Sequence, residues 1–412
     1  MSIHAELSPK SDIAPRLLKT RIITTDQEAL DAAQKVAEFA KLDAQQNDQN
    51  RVLPWKAVEK FTTLGLGGIR IPKQYGGARV SHKTLADVFR IISKADPSVG
   101  QIPQNQISLL NGIEIMGTEE QKRLIFAGIL HGKRLSNGGP ERNTKTSLLI
   151  DTQLEQHGDH YTVTGKKFYS TGALFAHWVA IKAMNATGEV VLTIIERGTH
   201  GLQIIDDWNG FGQRTTASGT VVLDHTPVIE ELIFNEQLLG QIPSIRGAFS
   251  QLIQVAIDVG IAEAALEDTI GFIRTRARPW MDAQVDQASL EPYLIAEVGR
   301  LKLKLNAAIS VLDDAASLLD AFDLLDTVTE TQAAEASIAV AEAKVLANNI
   351  CLLASEKLFE LSGSRATLAE FNLDRHWRNA RVHTLHDPVR WKIHAIGDYY
   401  LNNHLPARHV WI

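Results

Sequence analysis

The chain has 412 residues, 44% of them hydrophobic and 22% charged, and a formal charge of −6 at neutral pH. That length allows two or three domains with well-filled cores, and the absence of a basic excess argues against nucleic acid as a partner. No run approaches the roughly 18 continuous apolar residues of a membrane-spanning helix.

The N-terminal MSIHAELSPKSDIAPRLLKTR lacks the apolar core and cleavage site of a secretory leader. A single cysteine, Cys351, excludes an internal disulfide and sits in the apolar run NNICLLASEKLF, as a buried thiol would. The resulting expectation is a cytoplasmic protein with no membrane partner.

Up to about residue 133 the apolar spacing is helical. TTDQEALDAAQKVAEFAKLDAQQND opens on a Thr-Thr-Asp cap signal, and VSHKTLADVFRIISKAD places Leu85, Val88, Ile91 and Ile92 on one face. GTEEQKRLIFAGILHG continues the helical series. Between about 134 and 240 the period becomes two: DHYTVTGKKFYS, HWVAIKAM, EVVLTIIERG, GLQIID and GTVVLDHTPV are short β-branched runs. Strands in succession without helices between them predict an antiparallel barrel or sandwich and make a βαβ dinucleotide fold improbable. From about 241 the helical period returns, and Leu294, Val298, Leu301, Leu305, Ala308 and Leu312 alternate steps of four and three, the seam of an antiparallel bundle. Helices follow over 331–362 and 388–403, the last with Val389, Ile393 and Ile396 inward. The predicted class is α+β, with a helical segment 1–133, a β segment 134–240 and a helical bundle 241–412. GLGG at 65–68 lacks the G-x-G-x-x-G spacing and does not open a helix, so a nicotinamide dinucleotide site is unsupported.

Five segments, in order, resemble acyl-CoA dehydrogenases: GLGGIRIPKQYGG, MGTEEQKRLIFAGILHGKRLSNGGPE, GDHYTVTGKKFYSTGA, WNGFGQRTTASGTVVLDHTPV and DRHWRNARVHTLHDPVRWK. The resemblance spans about 25–405 and implies that family's fold, with an N-terminal helical domain, a central β-barrel and a C-terminal four-helix bundle. The last segment departs from the dehydrogenase pattern. Where many members carry the glutamate that removes the substrate's α-proton, this chain has Asp387, preceded by His386 and followed by Pro388. A one-carbon retreat handicaps a base that must reach its proton. The pattern His383-x-x-His386-Asp387-Pro388 is similar to the flavin monooxygenase branch, which includes dibenzothiophene monooxygenases and sulfur acquisition oxidoreductases.

That likeness implies reduced FMN, in preference to FAD, delivered by a separate flavin reductase. It also implies dioxygen and a small organosulfur compound as substrates, a flavin C4a-hydroperoxide as oxidant, and a homotetramer. The alternative is an acyl-CoA dehydrogenase with Asp387 as base.

By position in the resemblance, Ser170 and Asn137 lie at the flavin's edge, and Arg278 and Arg365 hold its phosphate, one of them from a neighbouring subunit. As bare residues the first two suit turns and the arginines suit a solvated surface. Trp208 offers a face for stacking on the flavin and equally suits a core. His386 is the expected acid–base residue, since an imidazole titrating near neutrality can give and recover protons. His383 and Asp387 assist it, or serve in packing. Asp387 before Pro388 is also a helix start signal, and a metal held by His383, His386 and Asp387 lacks a further ligand.

Overall fold

The computed structural model describes residues 14–146 and 149–412; residues 1–13 of the stretch assessed as a leader lie outside it. Six helices come first: α1 (Asp26–Asn50), α2 (Trp55–Thr63), α3 (His82–Ala95), α4 (Pro97–Gln101), α5 (Gln104–Met116) and α6 (Glu119–Leu130). Local sequence explains their ends. Thr25 caps α1 by accepting from the Glu28 amide, and Thr118 and Gln121 form a reciprocal capping box on α6. Leu85, Val88 and Ile92 of α3 are fully buried, with Ile91 packed at the rim of the same face.

The β segment contains β1 (Leu135–Gly138), β2 (Gln153–His157), β3 (His160–Lys167), β4 (Trp178–Met184), β5 (Val190–Glu196), β6 (Leu202–Ile204), β7 (Val221–Val228) and β8 (Ile233–Asn235). They join in one sheet in the order β6-β7-β3-β2-β4-β5-β8, with β1 added on β4. The expected antiparallel arrangement is corrected in one respect. β1 pairs with β4 in parallel from Leu135↔Trp178 to Gly138↔Ile181, and β2 touches β4 in parallel, so the sheet is mixed. Between β1 and β4 the chain detours through the antiparallel β2–β3 hairpin and re-enters in its original direction, which a parallel neighbour requires. β1 is only Leu-Ser-Asn-Gly, too short and polar to show an alternating pattern.

The C-terminal elements are α7 (Leu238–Gln241), α8 (Arg246–Thr275), α9 (Pro292–Asp323), α10 (Glu330–Ser362), α11 (Asp374–His383) and α12 (Val389–Asn402). The α9 seam is as predicted: Leu301, Leu305, Ala308 and Leu312 are buried, with Leu294 and Val298 packed beside them. α8 is apolar on nearly every side because it runs through the middle of the helical layers, in one continuous core with Phe89 of α3, Leu312 of α9 and Leu358 of α10. Its apolarity would also suit a bilayer, but 83% of its most apolar window is buried inside the protein.

The inward face predicted for α12 is corrected. Ile393 is exposed and Lys392 is buried, because the Lys392 ammonium pairs with the buried Asp387 carboxylate. Fixed charge pairing overrides the apolar pattern there.

Candidate active site

The α4–α5 junction, the loop after β3 and helix α11 lie against one another. Gly172 of the loop lies so near the Ile102 carbonyl that an added Cβ would sit 3.0 Å from it. Two residues of the loop, Ser170 and Gly172, are anchored through their backbone amides to the carbonyls of Gly219 and Thr216. The turn before those carbonyls packs on α11: the Gln213 amide donates to Asn379 Oδ1 at 2.7 Å. A Cβ on Gly212 would come within 1.9 Å of the Arg378 carbonyl, so only glycine allows that approach. His383 lies one helical turn beyond Asn379. On the other flank, Asn105 of α5 donates to Asn137 Oδ1 of β1 at 3.1 Å.

Asn137, His383 and His386 thus contact the Gln101–Asn105 segment, and Ser170 lies in the loop that packs on Ile102 through Gly172. Trp208 lies beside the same loop, its centroid 6.2 Å from that of Tyr169, with its indole N–H donating to the Gln213 carbonyl at 2.9 Å. Arg278 and Arg365 are not drawn in with them. Both are exposed near the end of the bundle where Phe272 of α8 meets Phe371, and neither side chain has a hydrogen bond or ion pair among the described residues.

The hydrogen bonds fix the state of each imidazole. His386 Nδ1–H donates to the His383 carbonyl at 2.7 Å, which leaves Nε2 as the acceptor for the Gln101 amide nitrogen at 3.1 Å. Gln101 then turns its oxygen to His383, which donates from Nε2 at 3.1 Å and from Nδ1 to Asp258 Oδ1 at 2.5 Å. Both His383 nitrogens therefore face oxygens, of Gln101 and of Asp258. Asp258 also accepts from Lys344 Nζ at 2.7 Å. Burial pushes the Asp258 carboxyl up, but the charges of Lys344 and His383 overcome it and hold the group down at about 2.

His386 is exposed as a residue, although protein atoms crowd its ring. Desolvation, then the charges on His383 and Lys344, lower its pKa to about 4. The expectation of a histidine titrating near neutrality is corrected accordingly: at pH 7 His386 is neutral, with a proton on Nδ1 and a lone pair on Nε2.

Asp387 is engaged elsewhere. Its carboxylate is buried 2.7 Å from Lys392 Nζ, and Lys392 also donates to the Trp411 carbonyl at 2.8 Å. It does not cap α12, whose N-cap is Pro388 with no side-chain bond. The side chains proposed as joint metal ligands have different partners, and the described residues contain no group of three or more His, Cys, Asp or Glu placed to hold a metal ion. Burial raises the Cys351 thiol well above its usual range, which makes it a structural thiol.

Gln101, Asp258, Lys344 and Lys392 were not found from the sequence. A signal exists for two of them. Asp258 in LIQVAIDVGIAEAAL and Lys344 in IAVAEAKVLANNI are charges set in apolar helical runs, each with one glutamate (Glu263, Glu342) in the same run, a pattern that implies a buried partner.

The N-terminal part, residues 24–133, matches the acyl-CoA dehydrogenase N-terminal domain, and residues 252–391 match the corresponding C-terminal domain. The dibenzothiophene monooxygenase of Rhodococcus qingshengii is 30% identical over 97% of this chain and 98% of its own. A probable FMNH2-dependent monooxygenase of Pseudomonas putida, SfnC, is 29% identical over 93% and 97%. The crystal structure of TdsC, a dibenzothiophene monooxygenase from Paenibacillus, with FMN and indole superposes with a TM-score of 0.89 at 26% identity, covering 94% of this chain and all of TdsC. The chain belongs to the acyl-CoA dehydrogenase superfamily, in the branch formed by the flavin-dependent monooxygenases.

Proposed function

We propose that this protein is a reduced-FMN-dependent monooxygenase that oxygenates a small organosulfur compound. The observation that carries the reading is the exchange of roles at the end of α11. The carboxylate at the dehydrogenase base position is buried in an ion pair with Lys392, and the exposed ionisable side chain next to it is His386. The alternative, a dehydrogenase using Asp387 as base, needs that carboxylate free.

The lining suits a flavin. Ser170 Oγ is buried without a partner, and so are both polar atoms of the Gln213 side chain. Beside them Thr171, Ser218 and Thr216 form a chain of hydroxyls at 2.7 Å. Tyr169, Gln213 and Ala217 adopt left-handed backbone (φ +58°, +49° and +51°), strain of the kind that gathers at binding sites. Ser170, Gln213 and Asn137 would hold the ring edge, and Trp208 would close one side. The exposed, unpaired Arg278 and Arg365 would serve the phosphate, one of them across a subunit boundary. When bound, reduced FMN supplies two electrons and two protons, so that one oxygen atom of dioxygen is added to sulfur and the other leaves as water.

The chain's own part is proton handling and shielding. Neutral His386 accepts at Nε2 from the Gln101 amide, and an arriving group would have to displace that amide before giving Nε2 a proton. The charges of His383 and Lys344 disfavour a second positive charge there, so the proton is returned readily. Asn137, with its oxygen committed to Asn105, presents its amide hydrogens to the site.

The same reading includes a separate reductase delivering FMNH2, a homotetramer and a cytoplasmic location. Exposed apolar side chains on the bundle, Tyr293, Leu303, Leu401 and Trp391 among them, support subunit contact. Mixing the protein anaerobically with FMNH2, admitting oxygen and analysing products over a sulfur-compound panel tests the reading. Oxygenated sulfur products are the expected result. Flavin reduction by an acyl-CoA without oxygen uptake would contradict it.

A further inference from the structure

Arg134 immediately precedes β1, and its side chain turns inward, leaving the residue only 6% exposed. Nε donates to the Phe175 carbonyl at 2.6 Å, and Nη1 lies 3.5 Å from Thr62 Oγ1 of α2. Nη2 is buried without a protein partner, and the guanidinium makes no ion pair among the described residues. The carboxylate that acts on it most strongly, that of Glu59, does so from farther off. Burial lowers the Arg134 pKa to about 10, so at pH 7 the group is a buried cation. Arginine is almost never fully buried unless paired, because a charge taken out of water needs a compensating one.

The guanidinium lines a cavity of about 20 Å³ bounded by α2, the α4–α5 junction, β1 and the segment from Gly172 to Ala176. Most of the wall is apolar, with Val58, Phe61, Ile102, Ile129 and Phe175 in it. Two cations, Arg134 and Lys133, line it and no carboxylate does. The other polar side chains there are already engaged. Thr62 donates to the Val58 carbonyl at 2.9 Å, Thr20 to the Leu18 carbonyl at 3.2 Å, and Gln106 to the Gly67 carbonyl at 2.8 Å. Lys133 pairs with Glu196 at 2.9 Å. The donor left without any partner is Arg134 Nη2. A single water needs roughly 10–15 Å³ of such space, so the cavity takes one body of about that size and has no room for a sulfate or a phosphate.

We propose that this cavity binds a small monovalent anion of the halide class, chloride in ordinary solution, held by Arg134 Nη2. The anion does there what a carboxylate does for other buried arginines. A water would satisfy the N–H and leave the charge uncompensated. The Arg134 carbonyl accepts from the amides of His177 and Trp178 at 2.9 and 3.0 Å, so the bound ion would tie α2 to the start of β4. The site does not depend on the monooxygenase reading.

The test uses the full-length, FMN-loaded protein. Crystals grown without halide and soaked in sodium bromide are measured by anomalous diffraction at the bromine edge, and a peak in contact with Arg134 Nη2 is expected. In solution, thermal unfolding is compared in sodium chloride and sodium gluconate at matched ionic strength. The wild-type midpoint should be higher in chloride and should rise by a constant step for each tenfold increase above the dissociation constant. In Arg134→Gln the two salts should give the same midpoint. The bromide map and the salt comparison are both read on the wild type, so they decide the question even if the variant folds poorly. Water only at Nη2 in the bromide-soaked crystal, or a chloride effect that Arg134→Gln retains, would overturn the assignment. So would equal wild-type midpoints in the two salts, in which case a bromide peak marks an adventitious ion only.

Discussion

Replacing Asp258 with Asn changes no volume but deletes the anion between two buried cations. The Asp258 and His383 side chains are fully buried and that of Lys344 is 1% exposed, with contacts of 2.5 and 2.7 Å. Removing one partner of such a cluster typically costs about 3–5 kcal/mol, because a charge is left uncompensated.

The pH dependence gives a second handle. The Asp258 carboxyl is held at about 2 in the folded protein, below the roughly 3.9 of an unfolded chain. Its stabilisation is therefore present above about pH 4 and disappears as pH falls towards 2, a change of a few kcal/mol. Urea unfolding of wild type and Asp258→Asn across pH 2–7 should show a large gap at neutrality that closes over that acid range. The effect reaches the site as well: the charge on His383 helps hold the His386 pKa at about 4, so in the variant His386 should titrate closer to neutrality by imidazole 15N NMR. A stability difference under about 1 kcal/mol at pH 7, together with an unmoved His386 titration, would refute the network.

His386→Ala should retain FMN binding and lose oxygenation by roughly 100-fold or more, the usual range for a positioned acid–base group; steady-state oxygen uptake and flavin fluorescence separate the two effects. Ser170→Ala removes a buried hydroxyl that has no protein partner and should weaken FMN binding by about 1 kcal/mol, some 5- to 10-fold in Kd, by fluorescence titration. Burial raises the Asp96 carboxyl to about 6, although it caps α4 by accepting from the amides of Ser98 and Val99. Raised above its unfolded value, it favours folding most below about pH 4, and that advantage is lost as pH climbs through 6. Asp96→Asn keeps an acceptor for the cap and should be more stable than wild type by about 1–3 kcal/mol above pH 7, with no gain at pH 4 in thermal or urea unfolding.

The layering was legible because apolar period distinguishes helices from strands. The runs around Leu85 and Leu301 and the strands 177–184 and 189–198 fall where the sequence placed them. β1 was invisible because four residues containing Ser, Asn and Gly carry no period, and α12 was misfaced because an ion pair, not apolar surface, decides which side is buried.

At the site, local motif picked out Asn137, His383 and His386, which contact the Gln101–Asn105 segment, but what they do depends on residues far away in sequence. Gln101 and Asp258 lie more than 100 residues from the histidines they hold, and no local spacing records such contacts. The neutrality of His386 follows from the charges of His383 and Lys344 beside it, which the motif alone does not disclose. Asp387 shows the converse: its motif position suggested a base or a cap, and a lysine five residues on claimed it.

The most direct measurement of the central claim is a single turnover of FMNH2-loaded enzyme with an organosulfur substrate under 18O2, followed by mass spectrometry of the product. One heavy oxygen atom on sulfur per flavin oxidised is the predicted result. A product without label, or flavin reoxidation yielding only free peroxide in the presence of every sulfur compound, would contradict it.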